Sequence, residues 1–167
     1  LSEPEQEEYD KFTQKKIQLK RIIEDNPLDE EAENRLEKMY INRAKIPKKA
    51  INKIEITFEI LENFYDEDSY WLIYCEDNEQ LDSLVKKLVD KDYEVSVYTS
   101  SITSDHETIL KDFKDKKGIM VAIRCLDEGI DIPYLNNAII LASSQNPRQF
   151  IQRRGRVLRK HDDKTHA

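Results

Sequence analysis

The chain has 167 residues and a formal net charge of −7, with 27 Lys and Arg against 34 Asp and Glu. It carries only three glycines where average usage gives about 12. That excludes collagen-like and Gly/Ser-linker chains, and it excludes a P-loop joined to a dinucleotide fingerprint. The length suits one domain, or one domain with a small helical appendage, and buries a sizeable core.

The helical part comes first. Ser2-Glu3-Pro4-Glu5 reads as a helix start, with Ser2 as cap and Glu5 closing a capping box. Tyr9, Phe12, Leu19 and Ile23 follow at helical spacing until Asn26-Pro27 stops the helix. Asp29 caps a second helix carrying Ala32, Leu36, Met39 and Tyr40. Pro47 fits the first turn of a third, with Ala50, Ile51, Ile54, Phe58, Leu61 and Tyr65 as its apolar stripe.

The pattern then changes. Trp71-Leu72-Ile73-Tyr74-Cys75 is a continuous apolar run, hence a buried strand. A helix over 78–90 follows, then a strand over 94–98, a helix over 105–115, and strands over 119–123 and 138–142. The last segment, 147–160, is helical. Alternation of strands and helices with buried strands predicts an α/β fold: a parallel sheet sandwiched by helices, after an N-terminal helical segment. The expected organisation is a helical segment over 1–66 and an α/β lobe over 67–167.

The longest apolar run is about five residues, well short of the roughly 20 a membrane helix needs. The first ten residues hold five acids and no base, unlike a secretory signal. Cys75 and Cys125 lie fifty residues apart in apolar runs, without CxxC, and His106, His161 and His166 form no ligand cluster. Two buried thiols in a reducing intracellular compartment, cytoplasmic or nuclear, are expected rather than a disulfide or a metal site. Because the chain begins with Leu1, it is read as part of a longer protein.

Charge is unevenly distributed. Residues 43–53 hold Arg43, Lys45, Lys48, Lys49 and Lys53 without an acid. Residues 145–160 hold Arg148, Arg153, Arg154, Arg156, Arg159 and Lys160, again without an acid. Such islands suit phosphate or nucleic acid, and a solvated helix face is the alternative. On a helix over 147–160, Gln152, Arg156 and Arg159 fall within about 60° of one another, while Phe150, Ile151, Val157 and Leu158 point the other way. Gly155 stands inside that helix, where glycine costs about 1 kcal/mol relative to alanine and wants a reason such as close backbone approach. A second constellation, Leu126 to Pro133, follows the strand at 119–123. Gly129 gives its turn conformational freedom, and Asp131 can accept hydrogen bonds from a sugar hydroxyl, although an ordinary strand-to-loop turn also accounts for the spacing.

Gln152-Arg153-Arg154-Gly155-Arg156-Val157-Leu158-Arg159 resembles motif VI, Q-R-x-G-R-x-x-R, of superfamily 2 helicases. Leu126 to Pro133 resembles their motif V, and Trp71 to Cys75 with its following helix resembles motif IV. The order matches their second, C-terminal RecA-like lobe over about 70–165, with XPB-type DNA repair and restriction-type helicases the nearest pattern. Residues 1–65 resemble, more loosely, the thumb-like segment between the lobes.

The resemblance implies roles. Arg156 and Arg159 would be arginine fingers reaching ATP held on the first lobe, supported by Gln152. Asp131 would contact the ribose, with Gly129 shaping the loop. Thr99, Ser100 and, as a weaker candidate, Arg124 would face nucleic acid, duplex DNA by analogy, and the basic islands add Arg148, Lys48 and Lys49 as candidates for the same contact. Related enzymes often carry a threonine just before motif V, where this chain has Ala122-Ile123-Arg124. The chain holds no G-x-x-x-x-G-K-S/T and no acidic Walker B, so the phosphate cradle and the Mg²⁺ ligand are expected on the N-terminal RecA-like lobe of the same polypeptide. By itself the chain is expected to be inactive, its function being that of the C-terminal lobe of an ATP-dependent DNA helicase or translocase. The alternative is a degenerate lobe serving as a DNA-binding or protein-docking module.

Overall fold

Proline at the second helical position and a carboxylate three residues after Ser2 start the first helix as the sequence predicts. The Ser2 backbone N–H donates to Glu5 Oε2 at 2.7 Å, the return half of a capping box. In the computed structural model, which describes residues 1–99, 106–123 and 132–141, this helix is α1 (Glu3–Asp25). It is followed by α2 (Glu30–Lys49), α3 (Asn52–Phe64), β1 (Tyr70–Cys75), α4 (Asn78–Asp90), β2 (Val95–Tyr98), α5 (His106–Lys116), β3 (Gly118–Ile123) and β4 (Asn137–Ile140). The chain divides into two units, Leu1–Ile56 and a second beginning at Thr57. Among the described residues no helix is long and apolar enough to cross a membrane.

In the first unit α1 and α2 form an antiparallel pair. Asn26 ends α1 by donating its N–H to the Ile22 carbonyl, and the Asp29 side chain caps α2 through the Ala32 N–H at 2.9 Å. Pro47 does not open a third helix. It lies inside the last turns of α2, which runs on to Lys49. A proline there removes one helical hydrogen bond, and the packing of α2 on α1 outweighs that loss. The break falls at Ala50, whose ψ of 126° leaves the helical region. Ala50, Ile54, Phe58 and Leu61 are buried as the stripe predicts, but Ile51, in the turn before α3, is 52% exposed.

The second unit is built on a four-stranded parallel sheet in the order β2-β3-β1-β4. The strands begin and end within one or two residues of the predicted runs, and α4 coincides with the predicted 78–90. In register, Leu72 faces Met120 and Ala138, and Tyr74 faces Ala122 and Ile140. These residues share one face with Tyr98, Phe113, Ile132 and Leu135. α5 covers that face through Phe113, Ile109 and Leu110. Two tyrosines fasten α5 at its carbonyls: Tyr70 Oη donates to Lys114 O at 2.8 Å and Tyr134 Oη to Leu110 O at 3.2 Å. The chain moves outward from β1 to β2 through α4 and back from β2 to β3 through α5. Right-handed crossovers therefore set α4, with buried Leu81, Leu84 and Leu88, on the opposite face. This is the RecA-like α/β arrangement with an N-terminal helical segment that the sequence predicts.

Gly118 makes the entry to β3 possible. Its φ is +88°, and a Cβ there would lie 2.7 Å from the Glu94 carbonyl oxygen. Lys117 precedes it, also at positive φ, and pairs with Asp68. That contact holds the Asp68 carboxyl below, and the Lys117 ammonium above, their ordinary values.

Candidate functional site

A parallel sheet brings the carboxyl ends of all its strands to one edge, where open α/β sheets bind ligands. Here Cys75 is paired with Ile123, Tyr98 with Ala122, and Tyr74 with Ile140, so the four strands finish together. The chain leaves β3 at Ile123 and β4 at Ile140, the two neighbours of central β1. Residues 124–131 and 142–160 depart from these two points. Gly129, Asp131, Gln152, Arg156, Arg159, Arg124, Arg148 and Ser100 lie outside the described residues.

At the end of β1 the chain turns directly into α4. Asp77 caps α4 through the Gln80 N–H at 3.1 Å, and the Gln80 side-chain oxygen accepts from the Glu76 N–H at 2.9 Å. Gln80 is buried, so these two contacts fix the positive end of the α4 dipole at the carboxyl edge. Cys75 lies beneath it, its thiol pushed up to about 12 by burial and then by Asp77. It remains a protonated, inert thiol at neutral pH.

At the end of β2, Thr99 is only 5% exposed. His106, the first residue of α5, reaches back to it: Nε2 lies 3.3 Å from the Thr99 carbonyl oxygen, and the ring lies over Tyr98 at 4.6 Å between centroids. The contact joins the end of β2 to the start of α5. The sequence carries no local signal for this contact, because seven residues separate the partners.

Lys48 and Lys49 occupy the last turn of α2, where cations complement the helix dipole. Lys49 shares a cavity of about 430 Å³ with Glu5, Glu8, Phe12, Asn42, Lys45 and Ile46. Glu5 is held below the usual carboxylate range: desolvation pushes it upward, but hydrogen bonds from the Ser2 and Ile51 backbones outweigh that. The Lys48 carbonyl accepts from Lys53 Nζ at 3.4 Å. Arg43 is the most constrained member of this island. It stacks over the Tyr9 ring at 4.1 Å, donates through Nε to Thr13 Oγ1 at 2.8 Å and also bonds the Tyr9 hydroxyl. Tyr9 and Thr13, polar residues four apart on the half-buried face of α1, are the sequence signal for it. Arg43→Ala is expected to destabilise the helical pair by about 1.5–3 kcal/mol, the range for hydrogen bonds to a charged group. Thermal melting followed by circular dichroism checks this, and an unchanged midpoint refutes it.

Among the described residues, no group of three or more His, Cys, Asp or Glu is placed to hold a metal ion.

The family model described as the helicase conserved C-terminal domain matches residues 52–161. The DNA 3'-5' translocase XPB2 of Sulfurisphaera tokodaii is 33% identical over 113 residues, which cover 66% of this chain and 24% of that protein. The ATP-dependent RNA helicase eIF4A of Eremothecium gossypii is 25% identical over 151 residues, covering 88% and 35%. The chain thus spans about a quarter to a third of the length of these two relatives. Its fold is similar to that of the C-terminal part of the Fun30 ATPase domain, with a TM-score of 0.61 and 23% identity, covering 71% of this chain and 40% of that one.

Proposed function

Because the chain belongs to the helicase conserved C-terminal domain family and is the C-terminal, RecA-like lobe of a superfamily 2 helicase, we propose that it is half of an ATP-driven motor on duplex DNA. One observation carries the reading: the family match spans an all-parallel sheet whose carboxyl edge issues both motif-bearing segments. We assign residues 1–66 to the inter-lobe segment and 67–167 to the lobe.

ATP with Mg²⁺ supplies the hydrolysable phosphoanhydride when the two lobes close, and the first lobe holds the metal. The residues of this chain suit the other side of that ligand. Arg156 and Arg159 present planar guanidiniums from a segment of six cations and no acid, suited to a triphosphate. Gln152 sits on the same predicted helix face and orients them. Asp131 accepts from the ribose, and Gly129 lets the motif V turn approach it. Thr99, Ser100, Arg124 and Arg148 in the second unit suit contact with the sugar-phosphate backbone, and Lys48 and Lys49 offer cations for such contact on the first. The capped amino end of α4 favours negative charge at the same edge.

The 33% identity to a DNA translocase supports DNA, while the similarity to an RNA helicase makes RNA the alternative. The test is ATP turnover by the full-length protein with duplex DNA, single-stranded DNA, duplex RNA or no nucleic acid. Stimulation of at least about tenfold by duplex DNA, and none by the isolated chain, is expected. Stimulation by RNA alone reassigns the substrate, and no turnover under any condition returns the chain to the docking-module reading.

A further inference from the structure

Part of the basic island at 43–53 is engaged internally, and further positive charge stands elsewhere on the first unit. Arg43 is bound to Tyr9 and Thr13, Lys45 and Lys49 face Glu5 and Glu8 across one cavity, and Lys53 reaches the Lys48 carbonyl. Residues 11–21 of α1 hold Lys11, Lys15, Lys16, Lys20 and Arg21 without an acid. Lys16 turns inward, over the Tyr40 ring at 5.7 Å. Lys15, Lys20 and Arg21 make no ion pair among the described residues, and Lys11 makes a single long one, 3.9 Å from Glu7, with both side chains exposed.

Helical geometry gathers Lys11, Lys15 and Arg21 on one side and turns Lys20 toward the other. At 100° per residue, the half-buried Tyr9, Phe12, Thr13, Lys16, Leu19 and Ile23 occupy an arc of about 120°. Lys11, Gln14, Lys15, Gln18 and Arg21 occupy an arc of similar width on the opposite side, and all five are exposed. From Lys11 to Arg21 this row rises about 15 Å, the axial rise of about four phosphates on one duplex strand. A row of cations and amide donors with no carboxylate among them suits phosphate oxygens.

We propose that the outward face of α1, through Lys11, Lys15 and Arg21, binds the sugar-phosphate backbone of nucleic acid independently of sequence. The inference rests on the nucleic-acid reading above and extends it to a surface that the helicase motifs do not include. Gln14 and Gln18 lie between the cations and supply neutral donors to the same backbone.

The experiment compares full-length wild type with the triple variant Lys11→Ala, Lys15→Ala, Arg21→Ala. Alanine at exposed helical positions preserves α1, as circular dichroism would verify. A control variant, Lys86→Ala, Lys87→Ala, Lys111→Ala, removes equal charge from exposed positions of α4 and α5. Binding of a short labelled DNA duplex is followed by anisotropy between about 50 and 200 mM salt. The α1 variant is expected to lose at least tenfold in affinity, and its log–log salt slope is expected to fall by about two to three, near 0.9 per lost phosphate contact. The control is expected to change affinity less than twofold. An α1 variant that matches the control, while wild type binds, overturns this inference and leaves the nucleic-acid reading intact. Wild type that does not bind at all overturns the reading itself, and the inference with it.

Discussion

Replacing Arg156 or Arg159 by alanine in the full-length protein is expected to lower ATP turnover by about 10³- to 10⁵-fold, the contribution of an arginine finger to phosphoryl transfer. The apparent affinity for ATP should fall much less, because an arginine finger, the role proposed for both, acts on charge that develops as the γ-phosphoryl leaves. Lysine at either position should fail to restore turnover, since a point charge does not reproduce the planar fork. Steady-state turnover alongside equilibrium nucleotide binding separates the two effects. Wild-type turnover in both alanine variants would remove these arginines from the mechanism, and equal losses in turnover and binding would make them ground-state contacts.

Gly118→Ala is expected to be the most damaging single-methyl addition among the described residues, at about 2–5 kcal/mol. Two costs combine. A left-handed backbone costs a non-glycine residue about 1–2 kcal/mol. Overpacking against a neighbour that cannot retreat costs about 1–3 kcal/mol more. The neighbour here is the Glu94 carbonyl oxygen, 2.7 Å from the added carbon, and it already accepts the Ile119 N–H at 2.9 Å. Relief would require breaking the first β2–β3 contact. For a chain of this size the melting temperature should drop by roughly 5–15 °C. A variant that melts within about 2 °C of wild type would show that the β3 entry can adjust.

The sheet was legible because its strands are short apolar runs broken by charged, amphipathic helices, a local pattern at every step. α4 shows this best: Asp77 caps it, Leu81, Leu84 and Leu88 recur on one face, and both ends fall at the predicted residues. Pro47 misled because proline is equally at home in the first turn of a helix and tolerable in the last. Only the packing of α2 against α1 decides between the two. The site residues of motifs V and VI lie outside the described residues, so their roles rest on identity and order alone. The basic islands were not equivalent, however, and counting charges does not reveal it. Arg43 meets Thr13 and Tyr9 on α1, 30 and 34 residues earlier in the chain, whereas the acid-free run at 11–21 is hidden in the sequence by the acids that flank it on both sides. The sequence marks His106 only as a histidine outside any ligand cluster, since its contact with the Thr99 carbonyl arises between two elements of the fold.

The strand order has a consequence for biosynthesis. Central β1 pairs with β3 and β4 but not with β2, the next strand in the chain. As the protein emerges from the ribosome, Tyr70–Cys75 is an uncharged, aromatic, β-prone segment with no partner until Ile123 appears, 48 residues after Cys75. At about 5–20 residues per second that interval lasts roughly 2–10 s. β2, already made, pairs only with the same late strand. The nascent lobe therefore cannot assemble its sheet stepwise, and β3 acts as the keystone on whose arrival both earlier strands close. During this window the Trp71–Cys75 stretch is the segment a chaperone has most reason to hold.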